Sequence, residues 1–255
     1  MIVCKSPAEI EKMRTANQLV ARVLEELAAM VAPGVTTADL DAAAEARVRA
    51  AGAEPAFKGY RGYPSTLCAS VNEQVVHGIP NTRALASGDI VSLDMGVKLN
   101  GYYGDSAITV PVGTVSDDVR RLLTVTQEAL EKGIGQVRIG GRISDIGHAI
   151  QAHVEANGLS VVREFVGHGI GAALHEEPQI ANYGEPGRGP RLAEGMTLAI
   201  EPMVNMGRAA VKVLQDGWTA VTKDGSLSAH FEHTVAVTKD GPLVLTARPV
   251  AAGRG

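Results

Sequence analysis

Cysteine is almost missing: Cys4 and Cys68 are the only two in 255 residues. Two thiols make a disulfide framework a poor expectation, and their scarcity fits a reducing compartment. Basic charge is not in surplus either. Lys and Arg number 24 against 28 Asp and Glu, a net charge of −4, and no basic patch stands out, so nucleic acid is not expected as a direct partner. No apolar run reaches the ~18 residues that a membrane span needs. The N-terminus, MIVCKSPAEIEKMR, is charged from Lys5 and lacks the apolar block of a secretory signal. These absences leave a soluble cytoplasmic protein as the expectation. Apolar content, by contrast, is ample: 45% of the residues are hydrophobic, enough for a sizeable core in one large domain or two small ones.

Ser6-Pro7-Ala8-Glu9 opens a first helix, with Ser6 as cap, Pro7 in the first turn and Glu9 closing a capping box. Apolar residues from Ile10 to Val31 keep a helical period until Pro33-Gly34. A second helix is expected over 37–51, ending at Gly52. Strand and loop patterns follow, from Phe57 to about Val112. The order then repeats, with helices over 117–137 and 144–156 and strands and loops to about Ala247. Shifting the sequence by 106 residues lays Asp39-Leu40 on Asp145-Ile146 and Gly52 on Gly158, and a shift of 107 lays Asp94 on Glu201. Identity between the two stretches is thin, so an internal duplication and a chance recurrence of element order both remain open at this point. The tail AAGRG is expected to fray.

SLDMGVKLNGYYGDSA, residues 92–107, carries Asn100-Gly101, the strongest short-range signal for a type I′ hairpin. A two-residue turn there makes residues whose numbers sum to 201 face each other. Gly96 then faces Asp105, and Asp94 faces Ala107. Side chains alternate with period two, so Asp94 and Asp105 share a face as diagonal neighbours roughly 7–8 Å apart. A bulge near Gly104 would break this register. Ile90, Val91, Leu93, Met95, Val97, Ile108 and Val110 surround the pair. Two half-buried carboxylates at that range repel, and one becomes protonated unless a cation lies between them. A solvated face or a salt bridge is the plainer reading of such a pair taken alone.

Further acids and histidines occupy apolar segments. Met196–Pro202 reads as a strand ending in Glu201 before a proline. Ala229–Val237 reads as one strand, in which Glu232 shares a face with His230 and Thr234. Phe165–Pro178 supplies His168 and His175 in a glycine-rich loop. Gly167, Gly169 and Ala172 match a dinucleotide fingerprint in form, but Pro178 and the loop 182–190 follow where that fingerprint needs a helix. His148 and His153 fall on a helix and are expected at its surface or in packing. Asp94, Asp105, Glu201 and Glu232 with His168 form an oxygen-rich set. It suits Mn²⁺, Fe²⁺, Co²⁺ or a catalytic Zn²⁺ rather than a closed cysteine site. Four carboxylates balance two divalent cations, which in such sites lie about 3.5–4 Å apart.

The ordered set NEQVVHGIP, SLDMG, GDSA, GHGIG, ALHEEP, AIEP and HFEHT resembles the type I methionine aminopeptidases over nearly the whole chain. The chain starts directly at its first helix, as in the short bacterial form. The resemblance implies an α+β pita-bread fold: one catalytic domain over 1–255 whose halves, about 1–113 and 114–255, pack antiparallel sheet under helices. It also weighs in favour of the duplication over chance recurrence. It implies that Asp94, Asp105, His168, Glu201 and Glu232 ligate two divalent ions, among Co, Mn, Fe, Zn and Ni, with Asp105 and Glu232 shared between them. A water activated by the ions would attack the first peptide carbonyl, and Glu201 would also serve as general base. His175 would bond the tetrahedral intermediate, and His77 would stand near the scissile nitrogen. Phe57, Tyr60, Tyr63, Cys68, Leu174 and Trp218 would line the methionine pocket, together with His77 and His175. Leu174 and Phe57 depart from the residues common in relatives, phenylalanine at the first position and a small or sulfur-bearing residue at the second.

The implied substrates are N-termini of nascent polypeptides bearing an initiator methionine before a small second residue. A monomer and a ribosome contact are further expectations, and neither nucleic acid nor membrane is a direct partner. Two rivals stand beside this reading. One is another enzyme of the same fold, a proline-specific peptidase, which the same ligands would serve, or a creatinase-like hydrolase, and these usually carry a large preceding domain. A non-catalytic peptide-recognition module of the same fold would lose ligands, whereas all five are present here.

Overall fold

The computed structural model describes residues 1–247; the tail AAGRG lies outside the described residues. Helices α1 (Pro7–Met30) and α2 (Thr37–Ala50) come first. Strands β1 (Glu54–Pro55), β2 (Cys68–Val71), β3 (Gln74–Val76), β4 (Ile90–Leu99) and β5 (Tyr102–Pro111) follow. Helices α3 (Asp117–Ile134) and α4 (Ile143–Ala156) open the second stretch. Strands β6 (Ser160–Val161), β7 (Gly167–Gly169), β8 (Glu176–Ile180), β9 (Thr197–Ile200) and β10 (Met203–Asn205) come next. The chain continues through β11 (Val211–Val213), β12 (Ala220–Thr222), β13 (Ser228–His230), β14 (Glu232–Thr238) and β15 (Gly241–Val244). Helices α2 and α4 are both 14 residues long and begin 106 residues apart, the spacing at which the sequence can be laid on itself.

The helix starts follow from local chemistry. The Ser6 hydroxyl accepts from Glu9 N–H while the Glu9 carboxylate accepts from Ser6 N–H, so two orphan donors of α1 are satisfied reciprocally. Thr36 and Asp39 repeat the device at α2, and Ser116 caps α3. Helix α3 stops at Ile134, earlier than the periodicity suggests. The chain then tightens, with Gln136 N–H donating to Gly133 O and Val137 N–H to Ile134 O.

A nine-stranded sheet runs β1-β4-β5-β14-β9-β7-β8, with β2 also on β4 and β15 also on β14. Val91, Leu93, Met95 and Val97 of β4 pack under α1 and α2 in one apolar core. Leu198 and Ile200 of β9 and Val235 and Val237 of β14 pack under α3 and α4 in another. Burial of each such side chain contributes roughly 1.5–3 kcal/mol. Because strand side chains alternate, committing the odd positions of β4 to the helices turns Asp94 and Gly96 to the opposite face. The two regions of the sheet meet at β5 and β14, paired through Glu232↔Ala107 and His233↔Ser106.

One expected strand is two. Phe231 separates β13, which joins β10 and β6 in a three-stranded sheet, from β14 in the large sheet. At the break, Phe231 N–H donates to Pro202 O at 3.4 Å, in the register that pairs β13 with β10 and β14 with β9, but Pro202 has no N–H to return the bond. Among the described residues no helix is long and apolar enough to cross a membrane.

Candidate functional site

The hairpin that carries the two aspartates is regular. Asn100 and Gly101 both take positive φ, 52° and 83°, as a type I′ turn requires. Gly96 pairs with Asp105 and Asp94 with Ala107, with no bulge at Gly104. Gly104 instead lets α1 approach: a Cβ there would lie 2.8 Å from the Ala16 carbonyl carbon. On that helix, buried Asn17 accepts the Asp105 N–H at 3.2 Å. Its own amide donates to Met13 O, so the asparagine ties a turn of α1 to the backbone of the aspartate.

Across the sheet Cys68, Asp94, Ala107 and Glu232 stand in one row on β2, β4, β5 and β14. Ala107 separates two acids, and its small side chain leaves the space between them open. One residue beyond the His233↔Ile200 pair, Glu201 leaves the end of β9 beside Glu232. Asn182 fixes it by donating to Glu201 O at 3.0 Å.

His168 lies on β7, a strand where the glycine-rich pattern reads as loop. Gly167 permits the strand, since a Cβ there would meet Ala199 O on β9 at 2.3 Å. The Nδ1–H of His168 donates to Gly169 O at 2.9 Å. Its Nε2 lone pair is thereby left toward the acids, 3.5 Å from Glu201 Oε1 and 3.9 Å from Asp105 Oδ2. One ligand atom each from Asp105, His168 and Glu232 falls within 4.8 Å of the others. Asp94 Oδ1, Asp105 Oδ1 and Glu232 Oε1 are buried without a hydrogen-bond partner.

Four carboxyls gathered away from water resist ionisation. Burial raises Asp94, Glu201 and Glu232 well above the usual carboxylate range, and the neighbouring acids push the same way. Burial raises Asp105 to about 7. It lowers His168 to about 4, which keeps that imidazole neutral near pH 7. Buried orphan oxygens, mutually repelling acids and a neutral imidazole with its lone pair inward are the donor set of a divalent cation. The residues present therefore fit metal ions.

A cavity of about 180 Å³ opens beside this cluster. Its wall includes the five candidate ligands together with His77, His175, Phe57, Tyr60, Tyr63, Cys68, Leu174 and Trp218. Gly96 makes room for Phe57, whose ring carbon would sit 2.9 Å from a Cβ at that position. Tyr63 donates to Leu67 O and Gly78 O and packs edge-on against Trp218, centroids 5.1 Å apart. His77 holds a positive φ of 60° and packs edge-on against Phe165 and Trp218. Burial lowers it to about 4. His175 is exposed at the rim. Its Nδ1 lies 2.8 Å from the Tyr60 hydroxyl and its ring 4.3 Å from that of His168. Partial desolvation and the Arg61 cation lower its pKa.

Two neighbours of the site were not singled out in the sequence. Arg61 joins the wall from the turn after Phe57. His230 is fully enclosed, with its Nε2 unpartnered and 3.8 Å from Glu201 Oε2. Its alternation with Glu232 in HFEHT was the available signal.

Residues 11–239 match metallopeptidase family M24. The chain is 55% identical to Methionine aminopeptidase 1 of Bacillus subtilis over 96% of its own length and 99% of that protein's. It is 47% identical to Methionine aminopeptidase 1 of Mycobacterium tuberculosis over 95% of its own length and 94% of that protein's. The crystal structure of methionine aminopeptidase from Thermotoga maritima superposes with a TM-score of 0.96 at 48% identity, covering 97% of this chain and 100% of that one. A prolidase from Pyrococcus horikoshii shares the pita-bread fold at a TM-score of 0.78 and 21% identity, and this chain covers 65% of it. The chain belongs to metallopeptidase family M24 and, within it, to the methionine aminopeptidases.

Proposed function

We propose that the cavity takes the N-terminal methionine of a nascent polypeptide and that the residues around it hydrolyse the bond that follows. The observation that carries this reading is the buried, unpartnered carboxylate oxygens set against an aromatic and aliphatic wall. Asp94, Asp105, His168, Glu201 and Glu232 would hold the metal, and four carboxylates offset the charge of two divalent ions. A divalent ion in such a site lowers the pKa of water and polarises a carbonyl oxygen.

The chain's own residues supply the rest. Phe57, Tyr63, Cys68, Leu174 and Trp218 exclude water from the methionine side chain, and the aromatic rings favour its thioether sulfur. Phe57 fills space that the shorter Leu174 leaves. The Glu201 carboxylate takes the proton from the attacking water and carries it toward the departing nitrogen. With His175 Nδ1, 2.8 Å from the Tyr60 hydroxyl, in the tautomer that accepts its proton, the Nε2–H is left to stabilise negative charge on the substrate oxygen. His77 orients the amide nitrogen of the scissile bond.

Turnover of Met-Gly, Met-Ala, Met-Leu and Met-Lys peptides tests the substrate reading. Met-Gly and Met-Ala should be cleaved fastest, because His77 and His175 crowd the position after the scissile bond. Equal rates across the series would refute the size rule. Metal analysis before and after chelation, with the same assay, should show activity lost with the ions and restored by Mn²⁺ or Co²⁺.

A further inference from the structure

The loop between β7 and β8, residues 170–175, places both His175 and Leu174 at the cavity, yet it is rich in glycine and alanine. Tyr103 N–H and the Thr197 hydroxyl hold its start by donating to Gly171 O and Ile170 O, and its other end is held by a lysine from the N-terminal segment. Lys5 lies ahead of α1, and its side chain is only 4% exposed. Its ammonium pairs with Glu176 Oε2, and Glu176 is the residue next to His175. The other carboxylate oxygen, Glu176 Oε1, accepts from Ala173 N–H inside the loop at 3.1 Å. One carboxylate thus ties the loop to itself and to the N-terminal segment.

The rest of the molecule is cut to admit this lysine. Its backbone N–H donates to Gly195 O at 2.7 Å, and its ammonium also donates to Val3 O at 3.0 Å. Gly171 leaves room for its stem, since a Cβ there would sit 2.3 Å from Lys5 Cε and 2.7 Å from Nζ. Gly195, at φ +86°, leaves room for its backbone, with a built Cβ 2.4 Å from Lys5 O. Two glycines from separate segments, one of them in the loop itself, accommodate the backbone and the side chain of a single charged residue. A buried ammonium has few ways to satisfy its charge, so the carboxylate that meets it is held in place.

We propose that Lys5 is a positioning residue: acting through Glu176, it fixes the loop so that the His175 imidazole meets the substrate oxygen. This rests on the role given to His175 above. Misplacing a group by about 1 Å can cost on the order of a hundredfold in rate. Lys5→Met keeps the stem and removes the charge. It should lower kcat at least tenfold while leaving metal content unchanged, because every candidate ligand lies on other segments.

The test is a double-mutant cycle with His175→Ala in the metal-loaded enzyme, reading kcat and KM, with bound metal measured in each variant. Once His175 is truncated, Lys5→Met should cost little further kcat. A merely structural role for Lys5 would lower kcat by the same factor in both backgrounds, and that result overturns the proposal. Unchanged kcat in Lys5→Met overturns it too. Unchanged kcat in His175→Ala overturns the role of His175 as well, so the two failures are distinguishable. Should Lys5→Met not fold, Glu176→Gln decides the matter in the same cycle, since it keeps an oxygen for Ala173 N–H and loses the charge.

Discussion

Replacing Asp105 by asparagine should stabilise the metal-stripped protein and inactivate the loaded one. The carboxyl titrates near 7 in the folded chain, against 3.8 ordinarily, because it is buried. Between those values the folded state binds more protons than the unfolded state. Its stability therefore falls as pH rises through that window. The gap is about three units, which at 1.36 kcal/mol per unit comes to ~4 kcal/mol at pH 7 and above. Asparagine carries no charge and escapes this penalty, although desolvating its amide makes ~4 kcal/mol a ceiling. For a chain of this size each kcal/mol moves Tm by about 2–4 °C, so the gain is up to roughly 8–16 °C. Thermal unfolding after chelation, followed from pH 4 to 8, measures it. The variant and the parent should differ little at pH 4, with the variant pulling ahead as pH rises. Saturating Mn²⁺ should erase this lead, since an ion at a thousand times its Kd adds about 4.1 kcal/mol to a protein that retains its ligands. An Asp105→Asn variant less stable than its parent in the stripped state at pH 7 would refute the buried-charge argument.

Gly167→Ala should weaken metal binding without touching a ligand. The new methyl would press on Ala199 O, 2.3 Å away, and push β7 with His168 off β9. A stability loss of about 1–3 kcal/mol and a lower Mn²⁺ affinity by titration calorimetry are expected. Asn17→Ala should slow turnover while the protein remains folded, because the Asp105 N–H loses its buried acceptor; unaltered Mn²⁺ affinity and kcat would count against that tie. A thiol reagent should modify one cysteine in the native protein and two after denaturation. Cys4 is exposed, whereas Cys68 is buried and its thiol pKa is pushed up by burial and by Asp94. Two fast-reacting thiols in the native protein would contradict this.

The hairpin was legible because its turn chemistry fixes a register, and a register fixes which side chains share a face. Asn100-Gly101 alone therefore placed Asp94 and Asp105 together. The helix starts were legible for a similar reason: Ser6, Pro7 and Glu9 act within one turn. Long-range events were not. Nothing in Ala229–Val237 shows that Phe231 hands its N–H to Pro202 and divides the segment between two sheets. Nor does GHG look like a strand until the close approach of Ala199 is known. His230 was read onto the Glu232 face, but its closeness to Glu201 comes from the pairing of this segment with residues 197–205, which no local pattern shows. The pairing of Lys5 with Glu176 joins residues 171 apart in sequence and leaves no local pattern.

The seam between β5 and β14 is only two residue pairs wide, reinforced where Ser106 and Thr234 hydroxyls bond Glu232 O and Asp105 O. Asp94 and Asp105 lie on one side of it, and His168, Glu201 and Glu232 on the other. Any cation gripped by all five thus acts as a rivet through this narrow join. If the backbone were cut between β5 and α3 and the two pieces mixed, divalent ion concentration should govern how much of the whole reassembles.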